Sequence, residues 1–189
     1  MKRQNHSVFE SAKNGLVQTI EGSGDVMRAA VDTVSGTLAS ALKGAGHVGT
    51  EGTQAITSVA RGVIYGVTEV GGDIGAAAKG TVVGVLRGTK EAGVQAIDAI
   101  GHTAGSVIRG TAEVGEDLGN AAKGLVEGAI EGARDVGVNA EEAASAAATG
   151  ALDAAGEVGA KAASKVRNAV TGTIAGVKVV IKEPFRPGE

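Results

Sequence analysis

The residues that could do chemistry in this chain do not form a set that any reaction requires. Gly44, Gly46 and Gly49 match the GxGxxG pattern of dinucleotide-binding turns, which needs a preceding strand inside a βαβ unit. Here Gly44 and Gly49 fall at ordinary positions of a repeat that runs through the whole chain. The segment therefore predicts no nucleotide cofactor.

Histidines and acidic pairs are the remaining candidates for catalysis. The three histidines are far apart in sequence, at His6, His47 and His102. None has a carboxylate or a cysteine at the spacing of metal ligands. The acidic pairs Glu69–Asp73 and Glu113–Asp117 recur with the repeat, so neither is a unique acid–base dyad. We predict that the chain is not an enzyme and has no metal, no cofactor and no small-molecule substrate.

Composition excludes several other classes of protein. Aromatic residues are 2% of the chain and there are 32 glycines, so the large side chains of an ordinary core are scarce. There is no cysteine, and a formal net charge of -3 gives no basic footprint for nucleic acid. The charged N-terminus is not followed by an apolar signal region, and no uncharged run is long enough to span a bilayer. We therefore expect an intracellular protein, soluble or peripherally attached to a membrane or lipid.

The elements that position these residues are set by a repeat of 22 residues. Seven triplets related to Glu-Val-Gly begin at this spacing without insertion or loss, at Asp25, His47, Glu69, Glu91, Glu113, Asp135 and Glu157. Each unit divides into two elevens, and eleven residues in three helical turns give about 3.67 per turn. An odd period cannot hold the alternation of a strand on one face. The repeat therefore predicts an amphipathic helix.

The large apolar residues fill one arc of that helix. The predicted apolar face consists of Ile20, Val31, Leu42, Ile64, Val70, Leu86, Ile97, Ile108, Val114, Leu125, Ile130, Leu152 and Ile174. The pattern predicts an all-α protein: one long amphipathic helix, or a helical hairpin, with right-handed hendecad coiled-coil geometry and an oligomeric state.

We place the predicted boundaries as follows. Residues 1–6 form a lead, and the repeat helix runs from 7 to 182, beginning at the S-x-x-E capping box of Ser7. A hairpin or kink is expected near 44–52, where four glycines fall in nine residues. Residues 183–189 form an irregular tail that contains both prolines.

Glycine is abundant and regularly placed. Each glycine inside a helix costs about 1 kcal/mol relative to alanine, so this helix needs a partner along its length. Two GxxxGxxxG stripes, at which helix backbones can approach closely, are Gly80, Gly84, Gly88 and Gly124, Gly128, Gly132. The alternative interpretation is that small residues only keep the surface flat.

Charges lie at the edges of the apolar arc. One border is basic and comprises Lys79, Lys90, Lys123, Arg134, Arg167 and Lys178. Near the other lie acidic residues, including the like-charged pairs Glu69–Asp73 and Glu113–Asp117, which are unfavourable within one helix. A neighbouring helix with its basic border alongside would relieve them. Repeated contacts of this kind favour assembly, whereas the alternative is a solvated polar face.

Residues 78–91, AKGTVVGVLRGTKE, resemble the 11-mer repeats of perilipins, and synucleins and exchangeable apolipoproteins share the same helical period. The resemblance is one of repeat style and extends over nearly the whole chain. It implies a helix that folds on lipid, with lysines at the edge. The Val, Ile and Leu residues that recur every eleven positions, which we call the apolar columns, would lie in the acyl boundary. Polyester-granule coat proteins are a related comparison.

Two functions are consistent with these patterns. The first is a non-enzymatic coat on an apolar interface such as a lipid droplet, a membrane or a polyester granule, with the lipid surface as partner. The second is a self-assembling structural protein, a homo-oligomer that forms a right-handed hendecad bundle, tube or filament. For the first function, a net charge near zero gives little attraction to anionic lipid.

Overall fold

A computed structural model describes residues 2–23, 25–43, 49–93 and 97–181. Within these ranges the chain forms eight α-helices and one two-stranded hairpin, which confirms the all-helical prediction. The elements are α1 (Lys2–Ser23), α2 (Val26–Leu42), α3 (Thr50–Glu69), α4 (Ile74–Glu91), α5 (Ile97–Val114), α6 (Leu118–Val136), α7 (Ala140–Val158), α8 (Ala160–Val170), β1 (Gly172–Ile174) and β2 (Val177–Val179).

The prediction of one helix from 7 to 182 is wrong, because the chain turns once in nearly every repeat. Glycines with positive φ stand 22 residues apart at the ends of successive helices: Gly71, Gly93, Gly115, Gly137 and Gly159. At Gly137 the backbone is left-handed, with φ 82°, and its N–H donates to the carbonyl of Ala133 at 2.9 Å. This is a helix C-cap that only glycine adopts without strain. The start is also earlier than predicted, since α1 begins at Lys2.

Three of the helices that follow these turns, α4, α6 and α7, begin at side-chain caps. Asp73 accepts a hydrogen bond from the backbone N–H of Ala76 at 2.6 Å, and Asp117 accepts one from Gly119 at 2.7 Å. A capping carboxylate satisfies amides that have no partner in the first helical turn. The prediction that Glu69–Asp73 and Glu113–Asp117 repel each other within one helix is therefore wrong. In each pair the glutamate lies in the last turn of one helix, and the aspartate is the N-cap of the next helix.

Alternate helices lie side by side and parallel in two layers. We call α1, α3, α5 and α7 the odd layer, and α2, α4, α6 and α8 the even layer. Each of the helices α1 to α7 packs most extensively on a helix two places away and less extensively on its neighbours in sequence, whereas α8 packs equally on α6 and α7. The core lies between the layers and is built almost entirely of Ala, Val, Ile and Leu. The 22-residue unit is thus one helix plus its turn, and two units restore the same layer.

The last repeat, which follows Glu157, ends in a β-hairpin where the sequence predicted helix. Gly172–Ile174 pairs antiparallel with Val177–Val179, and β2 packs on α7 with Val177 and Val179 buried. Gly172, Ala175 and Gly176 have positive φ, which a helix does not allow. The predicted tail, 183–189, lies outside the described residues, as do 44–48 in the predicted kink. None of the described helices is long and apolar enough to cross a bilayer.

Candidate functional site: the contacts between alternate helices

The first glycine stripe lies on α4 against α2. A Cβ atom at Gly80 would collide with the carbonyl oxygen of Met27. A Cβ at Gly84 would lie 2.9 Å from the carbonyl oxygen of Val31, and one at Gly88 would lie 3.1 Å from that of Ser35. Successive glycines meet successive turns of α2, so the two helices run parallel with their backbones in contact.

The second stripe lies on α6 against α4. A Cβ at Gly124 would collide with the carbonyl oxygen of Gly75, and one at Gly128 would lie 2.5 Å from that of Lys79. At Gly132 the nearest atom is Cδ1 of Leu86, at 2.6 Å. Any side chain at the first two positions would push the helix axes apart, because the atoms that it meets belong to backbone.

Comparable contacts in the odd layer were missed by the sequence reasoning. Gly62 and Gly66 of α3 face the backbone of α1, and a Cβ at Gly150 of α7 would collide with the carbonyl oxygen of Gly101 in α5. These glycines do not stand in a GxxxGxxxG run. Their signal is weaker, because only two glycines follow each other at this spacing, Gly62 and Gly66 in α3 and Gly101 and Gly105 in α5.

The apolar columns face these contacts and the core. Seven of the predicted apolar-face residues are buried: Val31, Leu42, Ile64, Leu86, Ile108, Leu125 and Ile130. The others are partly buried: Ile20, Val70, Ile97, Val114, Leu152 and Ile174. Among the described residues, the large apolar side chains that are exposed are Val158 and Val180. In this folded form the apolar arc is covered by the chain itself.

Ion pairs cross between alternate helices on the surface of both layers. They join Lys13–Glu69, Arg61–Glu113, Lys79–Glu131, Arg87–Asp135 and Arg109–Glu157, at 2.6 to 2.8 Å. The sequence separation of 48 in the last two pairs is two repeats plus one helical turn. The acidic residues of one helix thus lie beside basic residues of the helix two places earlier, within a single chain.

The predicted basic border is divided among several environments. Lys79 pairs with Glu131, Lys123 lies 3.9 Å from Glu127 on its own helix, and Arg134 reaches the carbonyl of Ala175 at 3.5 Å. The other members, Lys90, Arg167 and Lys178, are exposed. Three arginines that do contact acidic partners, Arg61, Arg87 and Arg109, were not predicted.

One pair has the geometry for a test by pH. Arg109 donates to Glu157 through Nε at 2.8 Å and through Nη2 at 3.1 Å, a bidentate contact. This hydrogen bond, together with the charge of Arg109, lowers the pKa of Glu157 below its usual value. A lowered pKa means that the pair stabilises the fold above the unfolded-state pKa and that this contribution is lost as pH falls through the folded-state pKa.

We expect Arg109→Gln to raise the pKa of Glu157 to the ordinary glutamate range, as measured by NMR of the side-chain carboxyl carbon during an acid titration. Arg28→Gln, which removes an exposed cation on α2, serves as the control and should leave the Glu157 pKa unchanged. A Glu157 pKa that is the same in wild type and Arg109→Gln would contradict the contact.

The only tyrosine lies beside a second ion pair. Tyr65 donates its hydroxyl to Glu113 at 3.0 Å, and Arg61 donates to the same carboxylate at 2.6 Å. Burial opposes the charge of Arg61, but the hydrogen bond and the charge of Glu113 raise its pKa above the usual value. The rings of Tyr65 and Phe9 meet edge to face at 5.7 Å. These contacts join α1, α3 and α5, and they are structural in character.

A groove of about 500 Å³ runs along the contact between α5 and α7. Asp98, His102, Glu142 and Asp153 are among its lining residues. In the part of the chain that the structure describes, no three histidine or acidic side chains are grouped closely enough to hold a metal ion. His6 is exposed like His102, and His47 lies outside the described residues with most of the GxGxxG segment.

No protein-family model matches this chain, and a search of curated proteins finds no match. Function is therefore inferred from the geometry of the chain itself.

Proposed function

We propose that this chain is a non-enzymatic coat protein for apolar interfaces, such as a lipid droplet, a membrane or a polyester granule, and that the helical stack is its stored form. One observation carries the proposal: the apolar columns keep their phase through the turns. The 22-residue spacing continues across every turn without insertion, and Pro184 and Pro187 follow the last repeat. A regular stack also keeps the length of its turns constant, but it does not require turns that lack proline, which would break a continuous helix.

Turns of this kind can become helical. If the residues of each turn joined the helices on either side, the buried columns would lie along one arc of a continuous helix with about 3.67 residues per turn and a slight right-handed twist. That arc would lie in the acyl boundary with the charged residues toward water, which is the arrangement of interfacial helices.

The exchange is physically balanced, because the same Val, Ile and Leu side chains are buried in both forms. At about 25 cal/mol per Å² of apolar area, moving them from the core to lipid changes their burial energy little. What is lost on opening is the close backbone contact along the glycine stripes and the surface ion pairs. Exposed ion pairs contribute only about 0–1 kcal/mol each.

The test is to lock the stack. A Cβ at Gly105 would lie 3.7 Å from Cβ of Ala154, and a Cβ at Gly119 would lie 3.9 Å from Cβ of Ala169. Both distances suit a disulfide, in which the Cβ atoms are about 3.5–4.5 Å apart. The first pair joins α5 to α7 and the second joins α6 to α8, so one lock lies in each layer. The chain has no native cysteine to interfere.

We expect the quadruple cysteine variant to bind triolein droplets covered with neutral phospholipid when reduced. When oxidised it should bind roughly tenfold more weakly or worse, because α5 to α8 can no longer open and only the part of the chain before them stays free to do so. Flotation with the droplets measures binding, and wild type with and without reductant is the control. Equal binding of the locked and reduced forms would refute opening. Failure of wild type to bind droplets or vesicles of any composition would refute the coat function itself.

Self-assembly is the second candidate, and one observation favours it. Gly36 on α2 stands 44 residues before Gly80, but a Cβ at Gly36 would meet nothing within 4 Å. Asp32 and Ser40, one turn away on either side, are exposed. This uncovered face of α2 is the one against which a further parallel helix, from a second copy, would continue the even layer. Repeated contacts of this kind form rings or filaments.

Light scattering across a range of protein concentrations distinguishes the two functions. A self-assembling protein would form particles larger than one chain in buffer without lipid, and Gly36→Leu would dissociate them. A coat protein whose lipid-free form is the helical stack would be monomeric in buffer, with or without Gly36→Leu.

A further inference from the structure

The last described repeat, residues 160–181, differs from the rest of the chain in charge. We call it the C-terminal repeat. It contains Lys161, Lys165, Arg167 and Lys178 but no aspartate or glutamate, so it carries +4. Since the whole chain carries -3, the other 167 residues together carry -7. The near-neutral total therefore conceals an acidic body with a basic end.

All four cations of the C-terminal repeat are exposed, while four of its five valines lie inward. Val166 and Val170 of α8 and Val177 of the hairpin are buried. Val158 and Val180, the exposed large apolar residues in the described part of the chain, lie just before the repeat and near its end. Positive charge together with exposed apolar side chains suits a surface that is both anionic and apolar beneath.

The hairpin occupies positions that are helical in earlier repeats. Gly172 and Gly176 stand 44 residues after Gly128 and Gly132, which are helical in α6. In the hairpin their φ values are 109° and 80°. Between them Ala175 has φ 48°, which costs an alanine about 1–2 kcal/mol. The same repeat pattern thus adopts a second conformation, in which one residue is strained.

If the hairpin were helical, it would extend α8 as one amphipathic helix. Its apolar residues would follow at steps of 4, 4, 3 and 4 on one face: Val166, Val170, Ile174, Val177 and Ile181. Such spacing gives a continuous stripe along a helix. Lysines beside the stripe could reach lipid headgroups while the stripe entered the acyl boundary.

We propose that the C-terminal repeat is the segment that first docks on an anionic lipid surface, and that its hairpin refolds to helix as it does so. This rests on the proposed coat function and adds to it the place and the charge of first contact. The apolar stripe, and the fact that the C-terminal repeat has no aromatic residue for base stacking, favour lipid over nucleic acid as the anionic partner.

The first test removes the charge. The triple variant Lys161→Gln, Lys165→Gln, Lys178→Gln is expected to bind vesicles containing one third phosphatidylglycerol on the order of 100-fold more weakly than wild type at low salt, about fivefold for each lysine. Its binding to vesicles and droplets of neutral phosphatidylcholine should be unchanged.

The control triple variant makes the same change of charge elsewhere, at three exposed cations: Arg28→Gln, Lys43→Gln and Lys90→Gln. It should lose much less affinity for the anionic vesicles than the first variant. Equal losses in the two variants would overturn the proposal but leave the coat function standing. Salt-sensitive binding of RNA by wild type without vesicle binding would overturn both.

The second test fixes the hairpin. Ala175→Asn places Asn-Gly in a turn that requires positive φ at both central residues, which stabilises the hairpin. NMR secondary shifts of residues 172–179 should change from strand to helix when wild type binds anionic vesicles. The variant should keep strand shifts at lipid concentrations that convert wild type. Strand shifts in the bound wild type would overturn the refolding.

Discussion

Alanine at both Gly124 and Gly128 is expected to lower the free energy of unfolding by about 2–4 kcal/mol. The new Cβ atoms would meet the carbonyl oxygens of Gly75 and Lys79 in α4, and backbone cannot rotate away as a side chain can. Overpacking costs about 1–3 kcal/mol at each site, and we expect the upper end here. Alanine recovers about 1 kcal/mol per site in helix propensity, which leaves a net loss. Urea unfolding followed by circular dichroism measures it.

Two other helical glycines provide the matched control. Gly36 in α2 and Gly156 in α7 have nothing within 4 Å of a Cβ atom, and neither has positive φ. Alanine at these positions should raise the free energy of unfolding by about 1 kcal/mol each. Glycine-to-alanine substitution should thus change the free energy of unfolding in opposite directions at the two pairs of sites. A double variant at Gly124 and Gly128 that was as stable as wild type would show that α4 and α6 are not in backbone contact.

Leu86→Ala is expected to destabilise the protein by about 2–5 kcal/mol. Leu86 is completely buried, and its Cδ1 fills the space over Gly132 on the neighbouring helix. Removing the side chain leaves a cavity in a core that has few large residues with which to refill it. Thermal unfolding of the wild type and the variant at the same pH measures the loss.

The effect of Gly132→Ala on stability should change sign in the Leu86→Ala background. In wild type the new Cβ would lie 2.6 Å from Cδ1 of Leu86, so Gly132→Ala should destabilise. In the Leu86→Ala protein the same Cβ enters the cavity and adds helix propensity, so it should stabilise by about 1 kcal/mol. If Gly132→Ala had the same sign in both backgrounds, the contact between these two residues would be disproved.

The helical class follows from the sequence, but the fold-back does not. The 22-residue unit and the amphipathic arc are visible in the order of residues, since periodicity is a local property. Glycine, however, serves two purposes in the same repeat. Gly84 lies inside a helix against a backbone and Gly93 has left-handed φ in a turn, and both are simply regularly placed glycines. Sequence spacing alone does not distinguish them, so the turns were interpreted as helix.

The charge pattern was partly predictable. Opposed borders on neighbouring helices were expected, and acidic residues do lie beside basic ones across alternate helices. What was missed is that the neighbour belongs to the same chain. A signal for this existed: Arg87 and Arg109 are 22 residues apart, as are Asp135 and Glu157, and each arginine precedes its acid by 48. Testing separations of two repeats plus one turn would have found both pairs.

The hairpin could not have been predicted from the pattern, because its glycines and Ile174 keep the repeat. What differs there is local: Thr171, Thr173 and the valines around Lys178 favour strand, and α8 ends at Val170 after 11 residues. These preferences are small in each residue and become visible only when the helical contact is lost at the end of the stack.

All the extensive contacts between helices join elements one or two places apart in the chain, and this has a consequence for folding. Among the ion pairs between alternate helices, Lys13–Glu69 has the largest separation in sequence. None of the extensive contacts between elements joins the two ends of the chain. Contact order therefore stays low however many units are joined, and formation can begin at any unit and spread. A gene that gained one more pair of repeats would lengthen the protein by one parallel helix in each layer, with almost no effect on how quickly it folds.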